Sequence, residues 1–147
     1  MSKYKFKLEG LLKLRKFKEQ QLKVELGRIV SEIQRVKNKI SEYKGHIDEA
    51  YDGQEKVLKG ETSGEMIKFF PYFVEAKNSA ITFEVERLKG LEEQYEEKVI
   101  EMKKARGETK VIDKLKEKDK NLFMKDKAKK DFAKIEEMRI LRQGEGS

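Results

Sequence analysis

The chain has 147 residues, 43% of them charged and only 37% hydrophobic, with one proline (Pro71), no cysteine, no tryptophan and a net charge of +7. A globule of this length needs more apolar side chains to close a core on every side, whereas a long helix needs a single apolar stripe. Absent cysteines exclude a disulfide framework and Cys/His zinc sites, and no run approaches the roughly 18 apolar residues of a membrane span.

Met1–Lys18 alternates lysine with apolar residues and lacks a continuous apolar core, so it is not expected to act as a secretory signal. From Leu8 a 3–4 repeat begins: Leu8, Leu12, Arg15, Glu19, Leu22, Leu26, Ile29, Ile33, Val36, Ile40, Tyr43, Ile47, Ala50, Gln54 and Val57. Only Arg15, Glu19 and Gln54 are polar breaks. A period of 3.5 keeps one seam facing a partner helix, so this stretch is predicted to be one arm of a coiled coil. At about 1.5 Å per residue that arm would be about 75 Å long.

The pattern stops over Lys59–Gly64, where Gly53, Gly60 and Gly64 cluster and a reversal is predicted. Thr62 and Glu65 have capping-box spacing for a second helix. Pro71 suits a first turn, which predicts either a start near Phe70 or a bent first segment. Apolar residues then recur at Phe73, Ala80 or Ile81, Val85, Leu88, Leu91, Tyr95, Val99 and Met102. The frame weakens there and resumes through Ile112, Leu115, Leu122, Phe123, Phe132, Ile135 and Met138. The expected fold is all-α, a long antiparallel two-helix coiled-coil hairpin. It forms a single domain over 1–147, with arm one about 3–58, the turn about 59–64 and arm two about 65–142. Arm two is expected to overhang, and residues 143–147 to fray.

Charge is polarised along this layout. Residues 1–23 hold eight basic and two acidic side chains, and 103–142 hold fifteen and eight; the stretch 24–102 holds twelve basic and seventeen acidic. In an antiparallel hairpin the basic segments lie together at one end, away from a mildly acidic turn end. That polarity predicts a different partner at each end.

No catalytic site is expected. The phosphate-loop and dinucleotide glycine patterns are absent, and His46 is the only histidine, read as a surface residue. Pairs such as Glu92–Glu93, Glu96–Glu97 and Glu136–Glu137 read as solvated helix faces, with no pocket to raise a pKa. Cofactors and metals are not expected. The basic end has no aromatic platform or recognition motif, so an acidic protein surface is preferred to nucleic acid as its target. The cluster Phe69, Phe70, Tyr72 and Phe73 has two readings: packing at the turn, or a docking site.

The opening Tyr4-Lys5-Phe6-Lys7-Leu8-Glu9-Gly10-Leu11-Leu12-Lys13-Leu14-Arg15 resembles the start of the flagellar export protein FliJ family, which commonly reads Phe-x-Phe-x-Leu-(x)2-Leu-Leu-x-x-Arg. The aromatic run at 69–73 falls where the family has its Tyr/Phe-rich stretch, and Arg106–Lys118 resembles its basic C-terminal-arm motif. The resemblance implies a cytoplasmic, non-catalytic, stalk-like adaptor, attached peripherally to the inner face of the cell membrane through the export apparatus and not inserted in it. Its implied partners are the hexameric export ATPase (FliI), whose assembly it promotes, the cytoplasmic domain of the export gate (FlhA), and export chaperones. Carried onto this chain, the ATPase contacts would be Lys5, Lys7, Lys13, Arg15, Lys16, Arg106 and Lys110. The gate contacts would be Ile40, Tyr43, Ile47, Tyr51, Phe73 and Ala80. Lys77 departs from the family, some members having an apolar residue there. The alternatives are a stalk protein of a virulence type III secretion system, or a basic coiled coil binding nucleic acid.

Overall fold

The computed structural model describes residues 3–61 and 64–145. The expected capping residue Thr62 lies outside them. The described residues form an all-α two-helix hairpin: α1 spans Glu9–Lys56 and α2 spans Gly64–Glu145. No described residue is in a strand, and no helix is long and apolar enough to cross a membrane among those residues.

The chain enters α1 through a tight turn, Glu9 N–H donating to the Phe6 carbonyl at 3.2 Å. The Leu8 carbonyl then accepts from Leu12 N–H at 2.9 Å, as the residue preceding a helix does. Glu9 places a carboxylate in the first turn, where the free N–H groups favour negative charge. At the other end Val57–Glu61 forms a single π-helical turn, broken at Gly60 with φ +92°. A side chain is disfavoured in that left-handed conformation, so glycine is what lets the chain leave the helix axis here. α2 starts at Gly64, which sets aside the expected start near Phe70. Pro71 therefore lies inside the helix, where its missing N–H removes one backbone bond.

The residues cluster into two compact units: a terminal unit of 1–21 with 102–147, and a turn unit of 22–101. In the terminal unit the buried apolar residues are Leu12, Met102, Ala105 and Ile112. In the turn unit they are Leu22, Val36, Ala50 and Val57. Every seam position from Leu12 through α1 to Val57 at the turn is buried or half-buried, and Leu8, just before α1, is more exposed at 39%. The 3.5-residue period thus decides which side of α1 meets α2.

Three α2 expectations are corrected. Val85 is exposed and its neighbour Glu84 is buried instead, because a 4–3 step to Leu88 and Leu91 selects position 84. The frame also does not weaken after Met102. It runs on through Ala105 and Thr109, small residues that leave little apolar signature but are buried. Thr109 Oγ donates to the Ala105 carbonyl at 3.0 Å, so burial leaves its hydroxyl satisfied within the helix. Of the residues expected to resume the frame, Leu115, Leu122, Phe132, Ile135 and Met138 are exposed rather than part of a seam.

Candidate protein-docking surfaces

The terminal unit holds 22 Lys and Arg against 11 Asp and Glu, a net +11, and the turn unit 13 against 17, a net −4. What each cation can do depends on whether the fold already uses it.

In the terminal unit much of the charge is spent on joining the helices. Arg15, a polar break in the seam, donates through Nη1 to Glu108 Oε2 at 2.8 Å, with both side chains about one-third exposed at 35% and 31%. Glu19, the next break, is met by Arg106 Nε at 3.5 Å. Lys116 Nζ reaches Glu9 at 2.8 Å, and this bond holds the Glu9 carboxyl below its ordinary value of 4.5. Lys16 stands 4.0 Å from Asp113. Before the helix begins, the Tyr4 hydroxyl donates to Asp119 Oδ2 at 2.9 Å and to the Lys116 carbonyl at 3.3 Å, and its ring lies 5.4 Å from that of Phe123. Desolvation, then the Asp119 carboxylate, push the phenol up to about 12.

The residues carried over from the resemblance therefore separate. Arg15, Lys16 and Arg106 have carboxylate partners within the unit. Lys5, Lys7, Lys13 and Lys110 are exposed and make no ion pair among the described residues. Sequence reasoning missed the partners Glu9, Glu108, Asp113, Lys116 and Asp119. A signal was present: in an antiparallel pair, residue numbers that meet add to a nearly constant total, so each polar break on one arm points to a position on the other.

In the turn unit, Ile40, Tyr43, Ile47, Phe73 and Ala80 are half-buried and Tyr51 is 53% exposed. Tyr43 and Phe73 come together around Lys77, whose ammonium lies 4.9 Å from the first ring centre and 5.4 Å from the second. Both rings present their negative faces to that charge, so the lysine that departs from the family pattern is held as part of the aromatic group. Phe73 also meets Phe69 at 5.7 Å.

The aromatic run divides between its two readings. Phe70 packs at the turn, where a Cβ on Gly53 would stand 3.3 Å from its ring. Phe69 and Tyr72 remain 55% and 74% exposed, and one helical stretch on, Phe83 is 68% exposed. Rows of i, i+3, i+4 and i+7 place Phe69, Tyr72, Ala76, Ala80 and Phe83 on one side of α2. That side carries more bare aromatic surface than solubility favours.

Deeper in this unit, Arg87 donates to Glu32 at 3.3 Å and stands 4.0 Å from Glu84, whose Oε2 is buried without a hydrogen bond. Lys98 pairs with Glu25 at 2.8 Å, which raises its pKa. His46, expected on the surface, is half-buried with its ring 6.3 Å from Tyr43.

A protein-family model, "Flagellar FliJ protein", matches residues 4–144. No curated protein and no solved structure matches the chain.

Proposed function

The chain belongs to the flagellar FliJ protein family, and from that premise we propose that this component of the flagellar export apparatus is a non-catalytic, stalk-like adaptor. Its terminal unit docks on the hexameric export ATPase and promotes ring assembly. Its turn unit offers Ile40, Tyr43, Ile47, Tyr51, Phe73 and Ala80 to the export gate, and export chaperones are further partners.

The observation that carries the ATPase assignment is the division of the cations. A net charge of +11 in one unit attracts an acidic surface at long range, and Lys5, Lys7, Lys13 and Lys110 have no ion pair among the described residues to give up on docking, Lys13 acting on Glu9 only beyond pairing distance. Arg15, Lys16 and Arg106 shape that surface by fixing α1 against α2, with contact to the ATPase as a second role. The gate assignment is supported by the aromatic group around Lys77 and by exposed Tyr51 beside half-buried aliphatic positions.

The test combines the purified chain with the export ATPase and follows hydrolysis and ring formation together. Stimulation of both is expected, and replacing Lys5, Lys7, Lys13 and Lys110 with Gln should remove it while leaving helicity unchanged. Absence of binding and of stimulation by the intact, helical chain would refute the assignment.

A further inference from the structure

Within the turn unit Arg87, Lys98 and Lys77 all reach from α2 towards α1, and they are not met alike. Arg87 donates to Glu32 at 3.3 Å and Lys98 pairs with Glu25 at 2.8 Å. Lys77 is half-buried and meets two rings instead, its ammonium 4.9 Å from the centre of Tyr43 and 5.4 Å from that of Phe73. It makes no ion pair among the described residues. No carboxylate is available one helical turn away on either helix. Around Lys77 those positions are Phe73, Val74, Ala80 and Ile81, and around Tyr43 they are Lys39, Ile40, His46 and Ile47. None is acidic, in a unit that holds 17 acidic side chains.

Ring faces attract a cation but do not replace the acceptors that its three N–H donors lose on leaving water. An ammonium held this way is fixed in place and short of acceptors. A carboxylate brought by a docking protein would supply one, in a site already partly stripped of water, where such a bond is stronger than at an open surface. Long-range attraction does not favour an acidic partner here, since the unit's net charge is −4. The pairing is local, and the surface that fits is apolar with one well-placed Asp or Glu rather than an acidic face.

From this arrangement we infer that Lys77 is a specificity-determining contact for the export gate: Tyr43 and Phe73 hold its ammonium in position, and a carboxylate of the gate's cytoplasmic domain accepts from it. The inference rests on docking of the turn unit on the gate, and adds the charge that the gate must present. A partner with an apolar or basic residue at that point would leave the ammonium desolvated and unanswered, which is how one lysine discriminates.

The experiment titrates the full chain into the purified cytoplasmic domain of the gate by calorimetry, with a thermal melt of each variant alone. Lys77→Met keeps an unbranched apolar stem and removes the charge. It should weaken binding about 10- to 100-fold and leave Tm unchanged or slightly higher. Lys77→Arg keeps the charge and its attraction to the rings, and should retain most of the binding. Equal or tighter binding by Lys77→Met would overturn the inference while leaving the gate assignment standing, because a purely apolar contact gains from methionine. Loss of binding by the Met and Arg variants alike, with a lowered Tm, would also overturn it, since Lys77 would then serve only the fold. If the intact, helical chain does not bind the gate domain at all, the gate assignment itself fails and the inference with it.

Discussion

Both units join two helices along one stripe, yet they treat polar seam positions differently. The terminal unit meets Arg15 with Glu108 and Glu19 with Arg106, and fills the space between with Ala105 and Thr109. The turn unit closes around Leu22, Val36, Ala50 and Val57 and also buries Glu84, one oxygen of which has no hydrogen bond. A half-buried ion pair keeps access to water and loses little on folding, whereas a buried carboxylate is desolvated and needs strong partners to offset that. Neither seam is fully answered: Arg15 Nε in the terminal unit is buried without a hydrogen bond, as Glu84 Oε2 is in the turn unit, but Arg15 keeps a close carboxylate at 2.8 Å whereas Glu84 has Arg87 only at 4.0 Å.

The largest expected effects come from the apolar anchors. Leu12→Ala should destabilise the terminal unit by about 2–4 kcal/mol, and Val36→Ala the turn unit by about 2 kcal/mol, since Leu12 is 1% and Val36 0% exposed. Amide hydrogen exchange would locate each loss. Faster exchange confined to the substituted unit would sharpen the division into two units, and equal acceleration in both would break it.

Glu84→Leu comes next and acts in the other direction. Replacing an under-bonded buried carboxylate with an apolar side chain of similar size should stabilise the turn unit by about 1–2 kcal/mol. A thermal melt that shows loss instead would mean that Arg87 satisfies Glu84 fully. Arg15→Met should cost about 1 kcal/mol, because Glu108 would lose its partner while keeping contact with water.

The pH dependence also separates the units. Glu9 is held below 4.5, so its contribution to the terminal unit is complete above that value and is lost as the pH falls through the lowered one. Lys98 is raised above 10.5, so its contribution to the turn unit is complete below that pH and is lost as the pH rises through the raised value. Tyr4 behaves like Lys98: its support of the terminal unit is whole below 10 and is lost toward about 12. Acid should therefore loosen the clasp at Glu9–Lys116 as the Glu9 carboxylate takes up its proton. Backbone exchange followed on both sides of neutrality would show whether the two ends respond in that order.

The all-α hairpin was legible in the sequence because a heptad frame from Leu8 to Val57 has few alternatives, and a cluster of glycines marked the reversal. The part of α2 from Met102 to Ile112 was harder, since Ala105 and Thr109 are buried by close packing and carry almost no hydropathy signal. Val85 was placed in the seam for the converse reason, since its neighbour Glu84 is a charged residue at a position that phase alone assigns there. Among the candidate contacts the sequence identified basic residues by type and density, but density does not reveal which cations already have partners. Arg15 and Lys13 look alike in a list of charges and differ in the fold, where one meets Glu108 and the other meets no carboxylate at pairing distance. The gate positions were read partly from family likeness, and the aromatic group that gathers around Lys77 could not be seen in a linear pattern.

The smallest expected effect on stability is the one that best separates fold from docking. Replacing Lys5, Lys7, Lys13 and Lys110 together with Gln should change stability by no more than about 0.5 kcal/mol, because exposed side chains without partners contribute little to folding. Replacing Arg15, Lys16 and Arg106 with Gln removes a similar amount of charge but breaks three cross-helix pairs. If docking on the ATPase follows total charge, both sets should weaken it alike. If it follows the unpaired lysines, the first set should abolish it with the melting curve unmoved, while the second should lower the melting temperature and retain binding once the chain is folded. A first set that also lowers the melting temperature would show that these lysines stabilise the terminal unit after all, and the division between structural and free cations would then fail.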